Sequence, residues 1–278
     1  MQSPTHLHEY WQYGPGGVLK HNGDVIVETP VSLTVNGDVW LTFMCTPVDL
    51  EPMAVGFLYN EGVITTQNEI ADVRLCASGD NVDVWLHHSV EKPDRWRRTS
   101  GCTGGVTSVE MEDSTVDDSA MLPMTMPASQ VGHLMELLLQ SQTLYRASGG
   151  VHTSALSDGE KLVIITEDIG RHNTLDKIAG RLLLEQTPLN RRVIITTGRI
   201  SSEMLQKSRR MGVSVVISRT SPSSLSIELA ERHAIALIGY ARRDRFTLYS
   251  HPEHLTGLGE LELSIPQKIP KNGRHKPE

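Results

Sequence analysis

The chain has 278 residues, of which 38% are hydrophobic and 21% are charged, enough for two modest domains or one large one. Its formal net charge of −7 argues against a general nucleic-acid-binding protein, because such proteins normally carry a basic excess. No apolar run approaches the ~18 residues that a membrane span needs, and the first residues lack the apolar core of a signal peptide, so we expect no membrane association.

The first part of the chain, residues 20–106, predicts a small α+β domain. Residues 1–20 read as irregular, and the pattern becomes strand-like from Gly23. Asn36-Gly37-Asp38 lies between two alternating apolar runs, which predicts a β-hairpin. Residues 49–62 predict a helix with Asp49 as its cap, because Pro52 suits a first turn and the apolar residues share one face. Further strands are predicted at 71–76 and 81–87.

Residues 107–127 are acidic and methionine-rich without apolar periodicity, and they predict a linker or mobile loop.

Helices and strands then alternate through residues 128–258. Apolar runs such as VIIT and VSVVIS are typical of a sheet covered on both faces, and the alternation predicts an α/β domain with parallel crossovers. Residues 259–278 are polar and predict a disordered tail. The predicted helices are 128–147, 174–185, 201–211 and 222–232, and the predicted strands are 151–156, 161–166, 193–197, 213–217, 235–240 and 246–249.

Cys102 lies in the segment RWRRTSGCTGG, residues 95–105. Its glycine neighbours add little bulk around the sulfur, and the three preceding arginines favour a thiolate, which attacks sulfur or carbonyl electrophiles. The alternative is a small residue that fills a tight turn. Cys45, Cys76 and Cys102 are too few and too scattered for a disulfide framework, so we expect a reducing, cytoplasmic setting.

Three predicted strands end in polar turns that each contain an arginine: 167–173 with Arg171, 198–202 with Arg199, and 218–222 with Arg219. Ligand sites of open α/β sheets form at such carboxyl ends, and arginine beside helix N-terminal N–H groups suits phosphate or carboxylate. The alternative is that the Ser, Thr and Asn side chains only cap helices. In the last turn we expect Ser221 as the N-cap, with Pro222 at the first helical position. Taken together, the three turns predict an anion site.

Two further features allow more than one interpretation. His172 could be a general base, a ligand or a packed polar residue. Residues 240–245, YARRDR, place three arginines after a strand, and alone they could be a solvated, charged hairpin.

Several motifs together resemble the FdhD family of formate dehydrogenase accessory sulfurtransferases, and the resemblance extends from about Glu28 to Tyr249. In chain order the motifs are ETPVSLTVNG, PMAVGFLYNEGVI, SGCTGG, SGGVHTSAL, GRHNTLDKIAG, TTGRISSEML and SPSSLSIELAE. The resemblance implies a cytoplasmic homodimer whose C-terminal three-layer α/β domain is similar to the cytidine deaminase fold.

The resemblance also implies a function. The protein would take a persulfide from a cysteine desulfurase onto Cys102 and pass the sulfur to the molybdenum or tungsten bis-(guanine dinucleotide) cofactor of formate dehydrogenase. That cofactor would be a bound substrate, and GDP an analogue of its ends. The cofactor-binding residues expected from the family run and from the arginine-bearing turns are Tyr240, Ala241, Arg242, Arg243, Asp244, Arg245, Arg199, Arg219 and His172.

The chain departs from the family pattern at two places. Gly105 stands where many members carry a second loop cysteine, so Cys102 has no resolving thiol within the loop, and Arg243-Asp244 replaces small residues of the cofactor-binding run. A cofactor-binding or GDP-binding chaperone of formate dehydrogenase that carries no sulfur is therefore the alternative function. Because the chain has no Cys-x-x-Cys, we expect neither zinc-dependent deamination nor a structural zinc site. A nucleotide hydrolase is disfavoured by the lack of a P-loop.

Overall fold

The computed structural model describes residues 2–93, 96–98, 106–108 and 124–259. Cys102, most of the predicted linker 107–127 and all but the first residue of the predicted tail 259–278 lie outside the described residues. In the described part, no helix has the length and apolarity needed to cross a lipid bilayer.

The chain begins with a long antiparallel hairpin, where we had predicted irregular structure. Strands β1 (Thr5–Gly14) and β2 (Gly17–Ile26) pair along their whole length, with Thr5 opposite Ile26. Cross-strand contacts stabilise the pair: Tyr10 stacks on His21 with ring centroids 5.8 Å apart, and Lys20 lies 2.6 Å from Glu9. Both faces are largely exposed, so the sequence lacks the apolar alternation that signals a half-buried strand.

A four-stranded sheet and one helix form the predicted α+β region. The elements are β3 (Thr29–Val35), β4 (Asp38–Cys45), α1 (Leu50–Asn60), β5 (Ile70–Leu75) and β6 (Asn81–Leu86), with sheet order β4-β3-β6-β5. The Asn36–Gly37 hairpin is confirmed, since both residues have positive φ (49° and 92°) as a type I′ turn requires. Asp49 precedes α1, but its side chain makes no capping hydrogen bond. Two short antiparallel strands follow, β7 (Trp96–Arg98) and β8 (Val106–Ser108).

The remainder of the chain builds a six-stranded mixed sheet with order β11-β10-β12-β13-β14-β15. Its elements, with two flanking strands, are β9 (Met126–Pro127), α2 (Ala128–Ser141), α3 (Leu144–Ser148), β10 (His152–Ser157), β11 (Leu162–Asp168), α4 (Arg171–Leu184), β12 (Val193–Thr196), α5 (Ser202–Arg210), β13 (Val215–Ser218), α6 (Ser224–Arg232), β14 (Ala236–Gly239), β15 (Thr247–Leu248) and β16 (Leu255–Thr256). Strands β12, β13 and β14 are parallel, whereas β10 and β15 run antiparallel to their neighbours.

Alternate residues of the central strands face opposite sides of this sheet. Ile195 and Ile217 pack with α2, whereas Ile194 and Val216 pack with apolar residues of α4 and α5. The sheet therefore lies between two helical layers, with α2 on one face and α4, α5 and α6 on the other.

Capping interactions explain two of the helix boundaries that were predicted wrongly. The predicted helix 128–147 is two helices, because the Glu167 carboxylate accepts hydrogen bonds from the backbone N–H groups of Thr143, Leu144 and Tyr145 and so caps a new helix there. Helix α6 has Ser223 as its N-cap instead of Ser221, since Ser223 and Ser226 form a reciprocal capping box.

Helices α1 and α4 pack with their backbones in close contact. A Cβ atom at Gly56 would overlap the carbonyl oxygen of Asp176, and one at Gly180 would overlap the carbonyl oxygen of Pro52. These glycines therefore permit a distance between the helices that any larger residue would prevent. This contact joins the four-stranded region to the six-stranded domain.

We predict that Gly56→Ala lowers the free energy of unfolding by about 3 kcal/mol, because the methyl group must push α1 away from α4. Urea unfolding followed by far-UV circular dichroism measures this change. Gly16→Ala is the matched control, since a Cβ there meets nothing within 4 Å. Equal stability of the two variants would contradict the proposed backbone contact.

Candidate functional site

The arginine-bearing turns lie at one edge of the six-stranded sheet. Because β10 is antiparallel to both β11 and β12, strands β11 to β14 all point the same way and end at this edge. The start of β10 lies there too, with His152 opposite Asp168. The predicted convergence of the turns is therefore present in the geometry, and it opens two clefts.

The first cleft has a volume of about 640 Å³ and lies on the α2 side of this edge. Its lining includes Tyr145, Gly149, Gly150, His152, Thr197 and Arg219. The Glu167 cap that starts α3 also places Tyr145 at the cleft wall, since the Tyr145 backbone N–H donates to Glu167 Oε1 at 3.1 Å. Glu167 of strand β11 thus shapes a part of the cleft wall that helix α3 provides.

The second cleft, of about 440 Å³, lies where three helices begin. Arg171 is the first residue of α4, Ser201 is the N-cap of α5, and Ser223 is the N-cap of α6. All three line the cleft together with the exposed Arg199. Helix N-termini carry partial positive charge and free N–H groups, so this convergence favours an anion.

His152 connects the two clefts electrostatically. It lines the first cleft, and its pKa is lowered by burial and then by the charge of Arg171, a residue of the second cleft; Arg199 acts in the same direction. The imidazole is therefore held neutral below the pH at which histidine ordinarily loses its proton. A neutral ring can donate one hydrogen bond and accept another.

The predicted run 240–245 lies beside the turn that contains Arg219. The Tyr240 N–H donates to Thr220 O at 3.0 Å, and an Arg242 guanidinium nitrogen donates to Arg219 O at 2.7 Å. The pKa of Arg242 is lowered by desolvation and by repulsion from Arg219 and Arg245. The Arg242 guanidinium is thus close enough to those of Arg219 and Arg245 to be repelled by both, a concentration of positive charge suited to a phosphate group.

The other predicted residues of this run lie around the arginine group in different ways. Ala241 is buried, and its N–H donates to Ser218 O at 3.0 Å, which anchors the run to β13. Arg243 and Asp244 are exposed, and Arg243 lies 3.8 Å from Glu136 of α2. Arg243 therefore faces a carboxylate on the surface of α2.

His172, predicted as a cofactor-binding residue, is only 2% exposed. It lies on α4 because the helix begins at Arg171, three residues earlier than predicted. Its Nε2 is 3.3 Å from Ser201 Oγ, and burial lowers its pKa well below the usual value, assisted by the charges of Lys207 and Arg171. His172 therefore contacts Ser201, which lines the second cleft, and is itself buried behind it.

Sequence reasoning missed the buried polar group beneath the edge. Asp168 Oδ2 accepts from Lys177 Nζ at 2.6 Å and from the Thr46 N–H at 3.0 Å, and Asp168 Oδ1 accepts from the Gly170 N–H at 2.7 Å and Asn173 Nδ2 at 2.8 Å. The available signal was Lys177 itself, which shares a helix face with Asn173 and the tightly packed Gly180.

Comparisons with known proteins agree with this architecture. The model of the FdhD/NarQ family matches residues 26–256. A protein named sulfur carrier protein FdhD from Bacillus pumilus is 37% identical over 249 residues, covering 88% of this chain and 95% of the relative. One of the same name from Bacillus subtilis is 35% identical over 255 residues, covering 90% and 97%.

A solved structure has the same fold over most of the chain. The crystal structure of a putative formate dehydrogenase accessory protein from Desulfotalea psychrophila has a TM-score of 0.78 and 30% sequence identity, covering 91% of this chain and 100% of that one. With a family match over most of its length and relatives above 30% identity, the chain belongs to the FdhD/NarQ family.

Proposed function

We propose that this protein is a cytoplasmic sulfur carrier of the carrier-type sulfurtransferase class. It takes sulfur from a cysteine desulfurase as a persulfide on Cys102 and delivers it to the bis-(guanine dinucleotide) molybdenum or tungsten cofactor required by formate dehydrogenase. The observation that carries the proposal is the match, over nearly their whole length, to relatives named sulfur carrier proteins.

The loading step needs only a thiolate and a donor persulfide. The Cys102 thiolate attacks the outer sulfur of the donor, a new S–S bond forms, and the old S–S bond breaks with its electron pair leaving on the desulfurase cysteine. On delivery the Cys102 S–S bond breaks and Cys102 returns as a thiolate. The two electrons that reduce the outer sulfur to sulfide come from the acceptor metal centre, or from two external thiols that leave as a disulfide.

The position of Cys102 in the chain supports this role. Arg98 of β7 is opposite Val106 of β8, so residues 99–105 connect the two strands, and Cys102 is the middle residue of that connection. Its glycine neighbours and the preceding arginines favour a thiolate that a donor can approach.

The other two cysteines are poor candidates. Cys45 is fully buried in the core of the four-stranded region, and burial raises the pKa of its thiol to about 12, with the Asp168 charge acting in the same direction. Cys76 is partly exposed, but its sulfur is held in a tight turn, where it donates to Asp80 Oδ1 at 3.1 Å and accepts from the Asn81 N–H at 3.2 Å.

We propose that the two clefts hold the guanine nucleotide ends of the cofactor substrate. Their arginines and helix N-termini can neutralise phosphate, and the glycines of the first cleft allow a flat base to approach the backbone. Arg199, Arg219 and the run 240–245 then bind phosphate, while His152 supplies a neutral hydrogen-bonding ring. We further propose a cytidine deaminase-like arrangement, with which helices on both faces of the sheet agree, and a homodimer, which the family resemblance implies.

The alternative function is a chaperone that binds the cofactor or GDP and carries no sulfur. Gly105 favours it, because the connection between β7 and β8 contains a single thiol. The two functions share the nucleotide clefts and differ only at Cys102, so sulfur loading separates them.

We predict that Cys102→Ala abolishes sulfur loading and leaves folding unchanged. The chain without substitutions is incubated with a cysteine desulfurase and cysteine. Intact-protein and peptide mass spectrometry should then show one added sulfur on its Cys102 peptide. Cys76→Ala is the control and should load normally. Loading that persists in Cys102→Ala would disprove the carrier role of this residue, and a chain that never loads beside an active control carrier would favour the chaperone.

We predict that Arg219→Ala weakens GDP binding roughly tenfold, since a charge-assisted hydrogen bond contributes about 1.5–3 kcal/mol. Isothermal titration calorimetry with GDP measures the dissociation constant. Arg232→Ala removes an exposed arginine at the far end of α6 and should bind GDP as the unsubstituted chain does. Unchanged affinity in both Arg219→Ala and Arg199→Ala would place the nucleotide elsewhere.

We predict that Cys45 resists alkylation in the folded protein. A thiol with a pKa of about 12 is almost entirely protonated at pH 8, and its sulfur is buried, so both causes suppress the thiolate reaction. Iodoacetamide labelling at pH 8 followed by peptide mapping should modify Cys45 only after unfolding. Rapid labelling of Cys45 in native protein would show that the four-stranded core opens readily.

A further inference from the structure

Two histidines and one glutamate converge at the turn that follows β15. His251, Glu253 and His254 each offer one ligand atom, and these atoms all lie within 4.8 Å of one another. The two imidazole rings are 6.0 Å apart between centroids and nearly perpendicular, at 80°. This cluster is remote from the arginine-bearing clefts, and none of its residues lines either of them.

Each imidazole is oriented by a hydrogen bond to a backbone carbonyl. His251 Nε2 lies 3.0 Å from Glu231 O, and His254 Nδ1 lies 2.7 Å from Met124 O. A ring nitrogen that faces a carbonyl must carry the proton, so the lone pairs of the neutral rings are on His251 Nδ1 and His254 Nε2. Metal-binding histidines are typically held in this way, with the second ring N–H donated to a carbonyl or carboxylate.

The third ligand is positioned against the first. Glu253 Oε1 lies 2.6 Å from His251 Nδ1, so without a metal ion this nitrogen carries a proton that it donates to the carboxylate, and a bound ion would displace that proton. The Glu253 side chain is 66% exposed, whereas those of both histidines are largely buried. An exposed carboxylate beside two imidazoles that are held by backbone carbonyls is open to an ion from solvent.

The turn that presents these ligands is anchored on both sides. Before it, Ser250 Oγ donates to Ile235 O at 2.7 Å and accepts from the Leu237 N–H at 3.0 Å. After it, β16 pairs with β9, with Leu255 opposite Met126. His251 itself has a left-handed backbone (φ 51°, ψ 62°) although proline follows, a strained conformation that this anchoring maintains.

We propose that His251, Glu253 and His254 form a binding site for a divalent transition metal, with Zn²⁺ as its occupant. Two imidazoles and one carboxylate are a zinc donor set that leaves a fourth position for water. With Zn–N bonds of about 2.0–2.1 Å and tetrahedral angles, ligand atoms lie roughly 3.3 Å apart, so these three atoms, which now lie within 4.8 Å of one another, would draw closer around a bound ion. The chain has no Cys-x-x-Cys, but that argument against zinc concerns cysteine ligands, and this donor set contains none.

Such an ion would fix a junction of the fold. The His251 ring bonds to the Glu231 carbonyl at the end of α6, and the His254 ring bonds to the Met124 carbonyl just before β9. The site thus ties the turn 250–256 to both of these places. A bound ion would therefore hold Met124 in place beside the turn 250–256.

The test is Zn²⁺ binding to the full, untagged chain after removal of metals with a chelator. Titration with a competing fluorescent chelator should give one ion per chain, and Co²⁺ should give d–d absorption without a thiolate charge-transfer band. His251→Gln keeps a side-chain N–H near Glu231 O, and His254→Asn keeps one near Met124 O, while each removes the ligand atom. We expect each to weaken Zn²⁺ binding at least tenfold.

Glu253→Gln covers the case in which a histidine variant fails to fold, because this exposed side chain is not needed for packing, and it should also weaken binding. His133→Asn removes an exposed histidine of α2 and should bind Zn²⁺ normally. Binding that is unchanged in the His251, Glu253 and His254 variants, binding abolished by thiol blocking, or no uptake of micromolar Zn²⁺ by the unsubstituted chain would each overturn the site.

Discussion

The buried ion pair between Asp168 and Lys177 is the interaction on which the rest of the structure depends. Both side chains are completely excluded from solvent, and their charged atoms are 2.6 Å apart. Charges in such an interior are tolerated only when every lone pair and proton has a partner, and here the backbone of Thr46, which follows β4, supplies both a donor and an acceptor. The pair therefore fixes where the four-stranded region meets the six-stranded sheet.

Helix α4 carries this constraint to the site. Its first ten residues, 171–180, are all buried, and it holds a second buried pair, in which the Asp176 carboxylate accepts from Lys207 at 2.6 Å and from Asn60 at 2.7 Å. Gly56 and Gly180 allow α1 to approach closely enough for the Asn60 hydrogen bond. Because α4 is held along both sides, its N-terminus and Arg171 are fixed at the sheet edge before any ligand arrives.

Local signals predicted most of the elements, and the failures have more than one physical cause. The turn at Asn36–Gly37 and the alternation of helices and strands after residue 128 follow from neighbouring residues, and both are confirmed except that the first predicted helix is two helices. The break between α2 and α3 depends on Glu167, more than 20 residues downstream, so no local pattern reveals it. The β1–β2 hairpin escaped because both of its faces are exposed, and a strand with no buried face has no alternation to read.

For the site, the sequence predicted the parts separately and the fold decided which of them meet. Arg219 and the run 240–245 come together because β13 and β14 are neighbours, whereas His172 is beneath the surface because α4 starts early. The Arg242 guanidinium donates to the carbonyl oxygens of Arg219 and Ala241, so this side chain is ordered in the free protein. A chain with a net charge of −7 thus has a local concentration of arginines in which Arg242 is already held, so a phosphate ligand would not need to order the Arg242 guanidinium first.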